Sequence, residues 1–360
     1  MRKRIYLMRP NIGKEEINLI KRVFQSQFLT EGDITKKFED AISSYVHSKY
    51  AIATTSATTA LHTVFHCIGI KGKNVLVSDF TFPATALAII QAGGNPVLID
   101  VDKETMNVNR EIVEDSLDKK IKFIAPVSLF GNPLNEDFYK LKKKNVMIIE
   151  DAATNLGTKI GSKYVGTLAD ATCFSFHPRK IITTGEGGMI TTNNKKLNEK
   201  FRSFKKFGQR DGKFLDVGTN YKLSDIHSSI GLAQLKKIEK IIKKRRYQAK
   251  IYDEIISKIN NIVPQESTKN SRHTYQSYVC CISKSNKRDK IQKILAKNNI
   301  ESQIGTYALH KLPVFQKCKK VDKLKNSSFL FENSITLPLH HELKIEEQFL
   351  ICRLIKSGLR

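Results

Sequence analysis

The chain alternates between two hydrophobic periods. Apolar residues three and four apart mark EEINLIKRVF (residues 15–24) and TKKFEDAISSYV (35–46). That spacing predicts helices within an N-terminal arm over residues 1–45. From about residue 50 to 151, short apolar runs alternate with helical spacing. SATTALHTVFHCIGI reads as a helix ending near Gly69, and NVLVSDF reads as a strand. PATALAIIQAGG reads as a helix with Pro83 at its start and Gly93 and Gly94 at its end, the usual asymmetry of the two residue types. The strands PVLIDVD, IKFIAPVSLF and NVMIIED are separated by the helices REIVEDSL and NEDFYKLKKK. Strands alternating with helices predict βαβ units and a largely parallel sheet.

Two shorter strands follow, ATCFSF and GGMITTN. Ser224 is placed to cap a long helix over about 225–259, with Ile226, Ile230, Ala233, Leu235, Ile238 and Ile242 on its apolar face and the KKRR run on its polar side. Beyond it, YQSYVCCI reads as a strand and KRDKIQKILAKNN as a helix. The expected division is 1–244 for the arm and a large domain, and 245–360 for a smaller α+β domain. A chain of 360 residues is long enough for both.

Composition sharpens this picture. Hydrophobic residues make up 40% and charged residues 27%, an ordinary globular balance. No apolar run approaches the roughly 18 residues of a membrane span. The start, MRKRIYLMRPN, is basic but lacks the apolar core of a secretory leader. A soluble cytoplasmic protein with no membrane partner is expected. The cysteines (67, 173, 280, 281, 318 and 352) form no CxxC pair, and Cys280 and Cys281 should face opposite sides of one strand. Neither a disulfide framework nor a metal site is expected.

The net charge of +26 is the compositional anomaly. It would suit a nucleic-acid partner. The lysines are dispersed, however, in short groups at 142–144, 236–237, 243–246 and 317–320, and no zinc-finger or RNP signature accompanies them. No nucleic-acid partner is expected, and the charge favours a phosphorylated small substrate.

In an open α/β sheet, ligands gather at the carboxyl ends of the strands. Three features of the sequence land there. Ser56-Ala57-Thr58 is a strand-to-helix turn whose free N–H groups suit a phosphate, or serve as an ordinary cap. Asp151 follows an apolar strand, where it can hold a protonated ring nitrogen, bind a metal or cap a helix. Lys180 follows FSFHPR and could condense with an aldehyde. Lysine, acid and phosphate donors together are what pyridoxal 5'-phosphate needs.

Six segments in order resemble the DegT/DnrJ/EryC1/StrS family of sugar aminotransferases over nearly the whole chain. They are LTEGDITKKFE, TSATTALH, SDFTFPATALAIIQAGGNPVLIDVD, EDAATNLG, FSFHPRKIITTGEGGMITT and GTNYKLSDIHSSIGLAQL. The resemblance implies the aspartate-aminotransferase-like fold type I: a large, mostly parallel sheet domain and a smaller C-terminal α+β domain. It implies Lys180 as the lysine that carries the cofactor, Asp151 as the partner of its pyridine nitrogen, and Phe82 as the aromatic on its ring. Ser56, Ala57, Thr58 and Ser175 match phosphate-binding positions. Asn220 matches an asparagine that reaches the phosphate from the other subunit, which implies a homodimer with shared sites.

Four positions depart from the family pattern. Ala57 replaces a glycine. Thr154 stands where Gln or His is common beside the cofactor's phenolic oxygen. Lys222 replaces an arginine, losing bidentate geometry. Arg179 replaces a smaller residue and could bind the donor's carboxylate or face solvent. His177 suits packing or substrate lining. Tyr307 and His310, in IGTYALH, match a sugar-pocket segment or serve domain packing. Gly185-Glu186-Gly187-Gly188 reads as a turn beside the site.

The expected activity is transfer of an amino group from an amino acid, glutamate by analogy, to a nucleotide-linked 4-keto-6-deoxyhexose in amino-sugar and polysaccharide biosynthesis. Three other readings stay open. One is a same-fold enzyme for a 3-keto sugar, a cyclitol or another small ketone. The second is a dehydratase, where relatives carry histidine in place of the lysine. The third is a basic regulatory or nucleic-acid-binding protein without catalysis.

Overall fold

The computed structural model describes residues 4–117, 121–283 and 287–360. Its centre is an eight-stranded sheet in the order Tyr50–Thr54, Gly188–Thr192, Ala171–Ser175, Met147–Asp151, Phe123–Ala125, Asn74–Ser78, Asn95–Ile99 and Lys319–Lys320. Neighbours from Ala171–Ser175 to Lys319–Lys320 run parallel. Gly188–Thr192 is antiparallel to both of its neighbours.

Side chains alternate along these strands, so each strand serves two cores. Ile52, Cys173 and Ile190 face a cluster with Leu61, Val64 and Phe65 of helix Ala57–Cys67 and Phe201 of helix Lys195–Lys205. Ala51, Phe174 and Met189 face the opposite cluster, with Phe38 and Ile42 of helix Asp33–Val46 and Ile238 and Ile242 of helix Asp225–Ile256. The helices start where side chains can cap them. Ser56 accepts from Thr59 N at 3.1 Å, Asn109 from Ile112 N at 2.9 Å and Asn194 from Leu197 N at 3.2 Å. Asp225 caps a second helix from a distance. Its carboxylate accepts from the backbone N–H groups of Gly32 and Thr35 and from the Thr35 hydroxyl.

A third core joins Ala249, Tyr252 and Ile256 to the antiparallel sheet Ile262–Pro264, Tyr278–Ile282, Ser334–Leu337 and Gln303–Ile304 and to helix Ile345–Leu359. Ile5 of the N-terminal arm belongs to this core and bridges to Ile300. The chain beyond 300 also returns to the large sheet: Lys319–Lys320 is its edge strand, and Leu309, Phe315 and Leu324 pack into its first core. As expected, Cys280 and Cys281 face different cores, and all six thiols are free.

Four local expectations are corrected. NEDFYKLKKK is a 3₁₀ helix, Glu136–Lys144, whose threefold period puts Phe138 and Leu141 on one buried face. IKFIAPVSLF is a regular strand only over Phe123–Ala125; Pro126 has no N–H for the ladder, and beyond it the pairing continues as a single bridge between Val127 and Asp151. The long helix ends at Ile256. KKRR does not lie wholly on a polar side. Arg245 is buried, and its guanidinium donates to the carbonyls of Tyr275, Gln276 and Leu339.

Gly188 sits at the crossing of the sheet and the first helix. It pairs with Thr54 on one side and Ser175 on the other. A Cβ there would lie 2.3 Å from Ser56 O and 2.7 Å from Ala57 N, both backbone atoms. Gly188→Ala must therefore move the turn, and should cost about 1–3 kcal/mol in urea unfolding. A variant as stable as the parent would show that this contact does not constrain the turn.

Candidate active site

The carboxyl ends of the strands open into a cavity of about 800 Å³. Eleven of the residues singled out in the sequence meet there. Ser56, Ala57 and Thr58 form one wall, Asp151, Thr154 and Ser175 the strand ends, and His177, Arg179 and Lys180 the following loop. Phe82 and Tyr307 close another side, with ring centroids 6.1 Å apart at 62°.

Each of these is held by local structure. Asp151 is the last residue of its strand and only 5% exposed. Its Oδ2 accepts from the Thr85 hydroxyl at 2.6 Å and its Oδ1 from Ala153 N at 3.0 Å. Burial pushes the Asp151 carboxyl up, against the pull of those two hydrogen bonds and of the Lys180 charge. Burial pushes the Lys180 ammonium down, opposed by Asp151 and reinforced by Arg179. The two groups thus oppose each other's desolvation across the cavity. Lys180 is fixed in a tight turn, with its N–H donating to His177 O at 2.8 Å.

Ala57 and Thr58 are the first two residues of their helix. Among the described residues their N–H groups find no acceptor, as the helix geometry demands. Ser56, by contrast, is occupied as the cap. The Thr154 hydroxyl lies 2.9 Å from Ser128 O and 2.7 Å from Asn155 Oδ1. His177 is half-exposed. Its Nδ1 accepts from Arg179 N, its Nε2 lies 4.0 Å from Glu186 Oε1, and burial lowers its pKa against the pull of that acid. Phe82 is 62% exposed, a large apolar face open to the cavity.

Three of the sequence-derived residues stand elsewhere. His310 does not line the cavity. Its Nδ1 pairs with Asp79 Oδ2 at 2.6 Å, and its Nε2 lies 3.0 Å from Ser328 Oγ. These contacts favour the packing alternative. Asn220 bridges to Lys206, and Lys222 Nζ sits 5.0 Å over the Phe207 ring. Neither lines the cavity of its own subunit.

Comparison with known proteins decides the family. A model of the DegT/DnrJ/EryC1/StrS aminotransferase family matches residues 10–356. The chain belongs to this family. It is therefore a pyridoxal-phosphate-dependent aminotransferase. It is 32% identical to the GDP-perosamine synthase of Escherichia coli O157:H7 over 99% of this chain and 98% of that protein. Among solved structures it resembles Helicobacter pylori PseC, an aminotransferase involved in the biosynthesis of pseudoaminic acid, with a TM-score of 0.93, 27% identity and 99% of both chains covered. It also resembles the PMP form of a putative sugar aminotransferase, Spr1654 of Streptococcus pneumoniae, with a TM-score of 0.93 and 26% identity over 99% and 98% of the two chains.

The residues of this aminotransferase fit pyridoxal phosphate on structural grounds. The cavity joins two unpartnered backbone donors, a buried acid, a desolvated lysine and an open aromatic face. Residue-by-residue reading missed some of the support. Thr85 was visible in the segment TFPAT, but nothing local shows that its hydroxyl reaches an acid 66 positions away. Gln276 and Gln303, which hold Arg179 by its carbonyl and its guanidinium at 2.7 and 2.9 Å, carry no motif at all.

Behind Asp151 lies a second buried acid. Glu150 accepts from the Ser128 and Tyr139 hydroxyls, both at 2.8 Å, and burial raises its pKa from 4.5 to about 7. Between those values the folded aminotransferase holds a proton that the unfolded chain has released. Stability present at low pH is therefore lost as pH rises from 4.5 to about 7, by about 3 kcal/mol. Glu150→Gln should abolish this slope in denaturant unfolding measured at pH 5 and pH 7.5. Identical slopes in the two proteins would mean that Glu150 is ionised throughout.

Proposed function

We propose that this aminotransferase transfers the amino group of an amino acid, glutamate, to a nucleotide-linked 4-keto-6-deoxyhexose and so serves amino-sugar and polysaccharide biosynthesis. The observation that carries the reading is the meeting of Asp151, Lys180 and the free N-terminus of helix Ala57–Cys67 in one cavity. The similarity to a GDP-perosamine synthase supports a nucleotide-sugar acceptor.

The roles follow from chemistry. Ala57 and Thr58 N–H groups and the Ser175 hydroxyl hold the cofactor phosphate. Asp151 would hold the proton on the pyridine nitrogen of bound pyridoxal phosphate, and Phe82 would pack on its ring. When bound, pyridoxal phosphate supplies a ring that accepts the electron pair released at the donor's Cα. Lys180 holds the cofactor, and its lowered pKa leaves Nζ more readily neutral, as a base needs. The freed Nζ then moves the proton at the donor's Cα and, in the second half, at the acceptor carbon. Thr154 would stand beside the phenolic oxygen, and His177 and Tyr307 would line the acceptor; the domains divide at 1–244 and 245–360, with residues 309–324 of the second reaching back to the large sheet.

Asn220 and Lys222 act in the site of a second copy. They lie off their own cavity, in a stretch that exposes Phe207, Phe214, Leu215 and Val217. A homodimer would cover that apolar surface. No described helix is long and apolar enough to cross a membrane, which is consistent with a cytoplasmic site of action.

The holoenzyme should be yellow, and glutamate should bleach that band before any acceptor is added. Lys180→Ala should still fold and dimerise, keep no covalent cofactor, and lose transamination by roughly a thousandfold or more. Full activity in that variant would remove Lys180 from the mechanism.

A further inference from the structure

Asn220 and Lys222 flank Tyr221, and the backbone there is tied to the end of helix Lys195–Lys205. Thr219 N donates to Phe204 O at 2.8 Å and Tyr221 N to Lys205 O at 3.1 Å. Lys205 anchors the same corner. Its buried Nζ donates to Ala53 O at 2.8 Å and pairs with Glu31 and Glu39 at 3.0 and 3.2 Å. Side chains on an extended segment alternate in direction. Asn220 is exposed, and its side-chain amide has no hydrogen-bond partner among the described residues.

Tyr221 turns the other way, onto helix Ala57–Cys67. Its hydroxyl lies 3.1 Å from His62 Nδ1. Its ring meets those of His62 and Phe204 edge-on, at 5.8 and 6.2 Å. His62 is itself fixed. It packs edge-on against Phe204 at 5.7 Å, and burial, reinforced by His66, lowers its pKa. A hydrogen bond to the Gln91 backbone occupies the other ring nitrogen, so Nδ1 of the neutral imidazole accepts from the tyrosine. One helix therefore has two tasks. Its first N–H groups face the cavity of its own subunit, and its side holds the segment that carries Asn220.

We propose that Tyr221 and His62 are positioning residues for the partner's site, holding Asn220 so that its amide meets the cofactor phosphate of a second copy. This rests on the reading that Asn220 acts in that second site, and adds what holds it there. The need is physical. The stretch before Asn220 is a two-residue-stranded hairpin, Gln209–Arg210 with Lys213–Phe214, and it is exposed. A donor carried at the foot of such a loop would lose conformational freedom on meeting a phosphate unless it were ordered beforehand. The Tyr221–His62 contact supplies that order from the helix that holds the first subunit's own phosphate.

The test uses the holoenzyme and reads cofactor retention. Protein is passed into cofactor-free buffer, aliquots are reduced with borohydride, and the mass of the chain shows how much cofactor Lys180 still holds. Tyr221→Phe and His62→Leu should lose cofactor about three- to tenfold faster than the parent, the effect of one hydrogen bond. His62→Asn, which keeps an acceptor near the place of Nδ1, should stay within about twofold. Heterodimers then separate the subunits, since only a chain with Lys180 takes the label. A Tyr221→Phe chain paired with a Lys180→Ala chain should keep its cofactor as the parent does, because its asparagine comes from a chain with Tyr221 intact. A parent chain paired with a chain carrying both Lys180→Ala and Tyr221→Phe should lose it at the faster rate. If Tyr221→Phe acts only within its own chain, or has no effect, the proposal is overturned. Asn220→Ala in the same pairings tests the reading beneath it. An effect from the partner chain upholds that reading even where Tyr221 fails. An effect confined to its own chain, or a monomeric holoenzyme, removes both.

Discussion

The close approach of Gly188 to the Ser56–Ala57 backbone is the constraint on which the rest of the site depends. Gly188–Thr192 is the one strand of the large sheet that runs opposite to the other seven. Because it lies between Tyr50–Thr54 and Ala171–Ser175, it sets the distance between the turn before the first helix and the strand end that leads to Lys180. Any side chain at 188 would collide with backbone, which cannot rotate away. The free helix N-terminus, Ser175 and the lysine loop are thus brought to one edge by a single residue without a Cβ.

Once assembled, the site is governed by desolvation. Burial raises Asp151 and Glu150 and lowers Lys180, so each ionisable group is pushed toward neutrality. The separation of roles comes from what surrounds each group. Asp151 has Thr85, Ala153 N–H and the lysine charge to favour its anion. Glu150 has two hydroxyls but also the adjacent Asp151, and it rises to about 7. Adjacent acids on one strand, pointing to opposite faces, thus meet the same desolvation with different partners.

The same physics sorts the many cations. Arg245 is buried without an acid and survives on carbonyl oxygens, and its pKa falls to about 10. Lys205 is buried against Glu31 and Glu39. Most of the other lysines and arginines remain in water, where an ion pair is worth little. A net charge of +26 therefore says little about function until the few desolvated or uncompensated cations are separated from the rest.

Local pattern was enough to determine the alternation of strand and helix, the caps at Ser56 and Ser224, and the order of the segments around Asp151 and Lys180. Those features depend on residue type and near-neighbour spacing, which a sequence states directly. Phe82, Ala57 and Thr58 were legible through the same ordered segments. Tertiary structure alone decided that Thr85 hydrogen-bonds Asp151, that Arg245 is a core residue, that His310 is tied to Asp79, and that Arg179 is held by Gln276 and Gln303. It also cut short the strand at Pro126 and tightened the helix at Glu136–Lys144. The physical reason is common to all of these. Identical side chains differ in burial and partners only after distant segments pack, and no period along the chain encodes which lysine or arginine will lose its water.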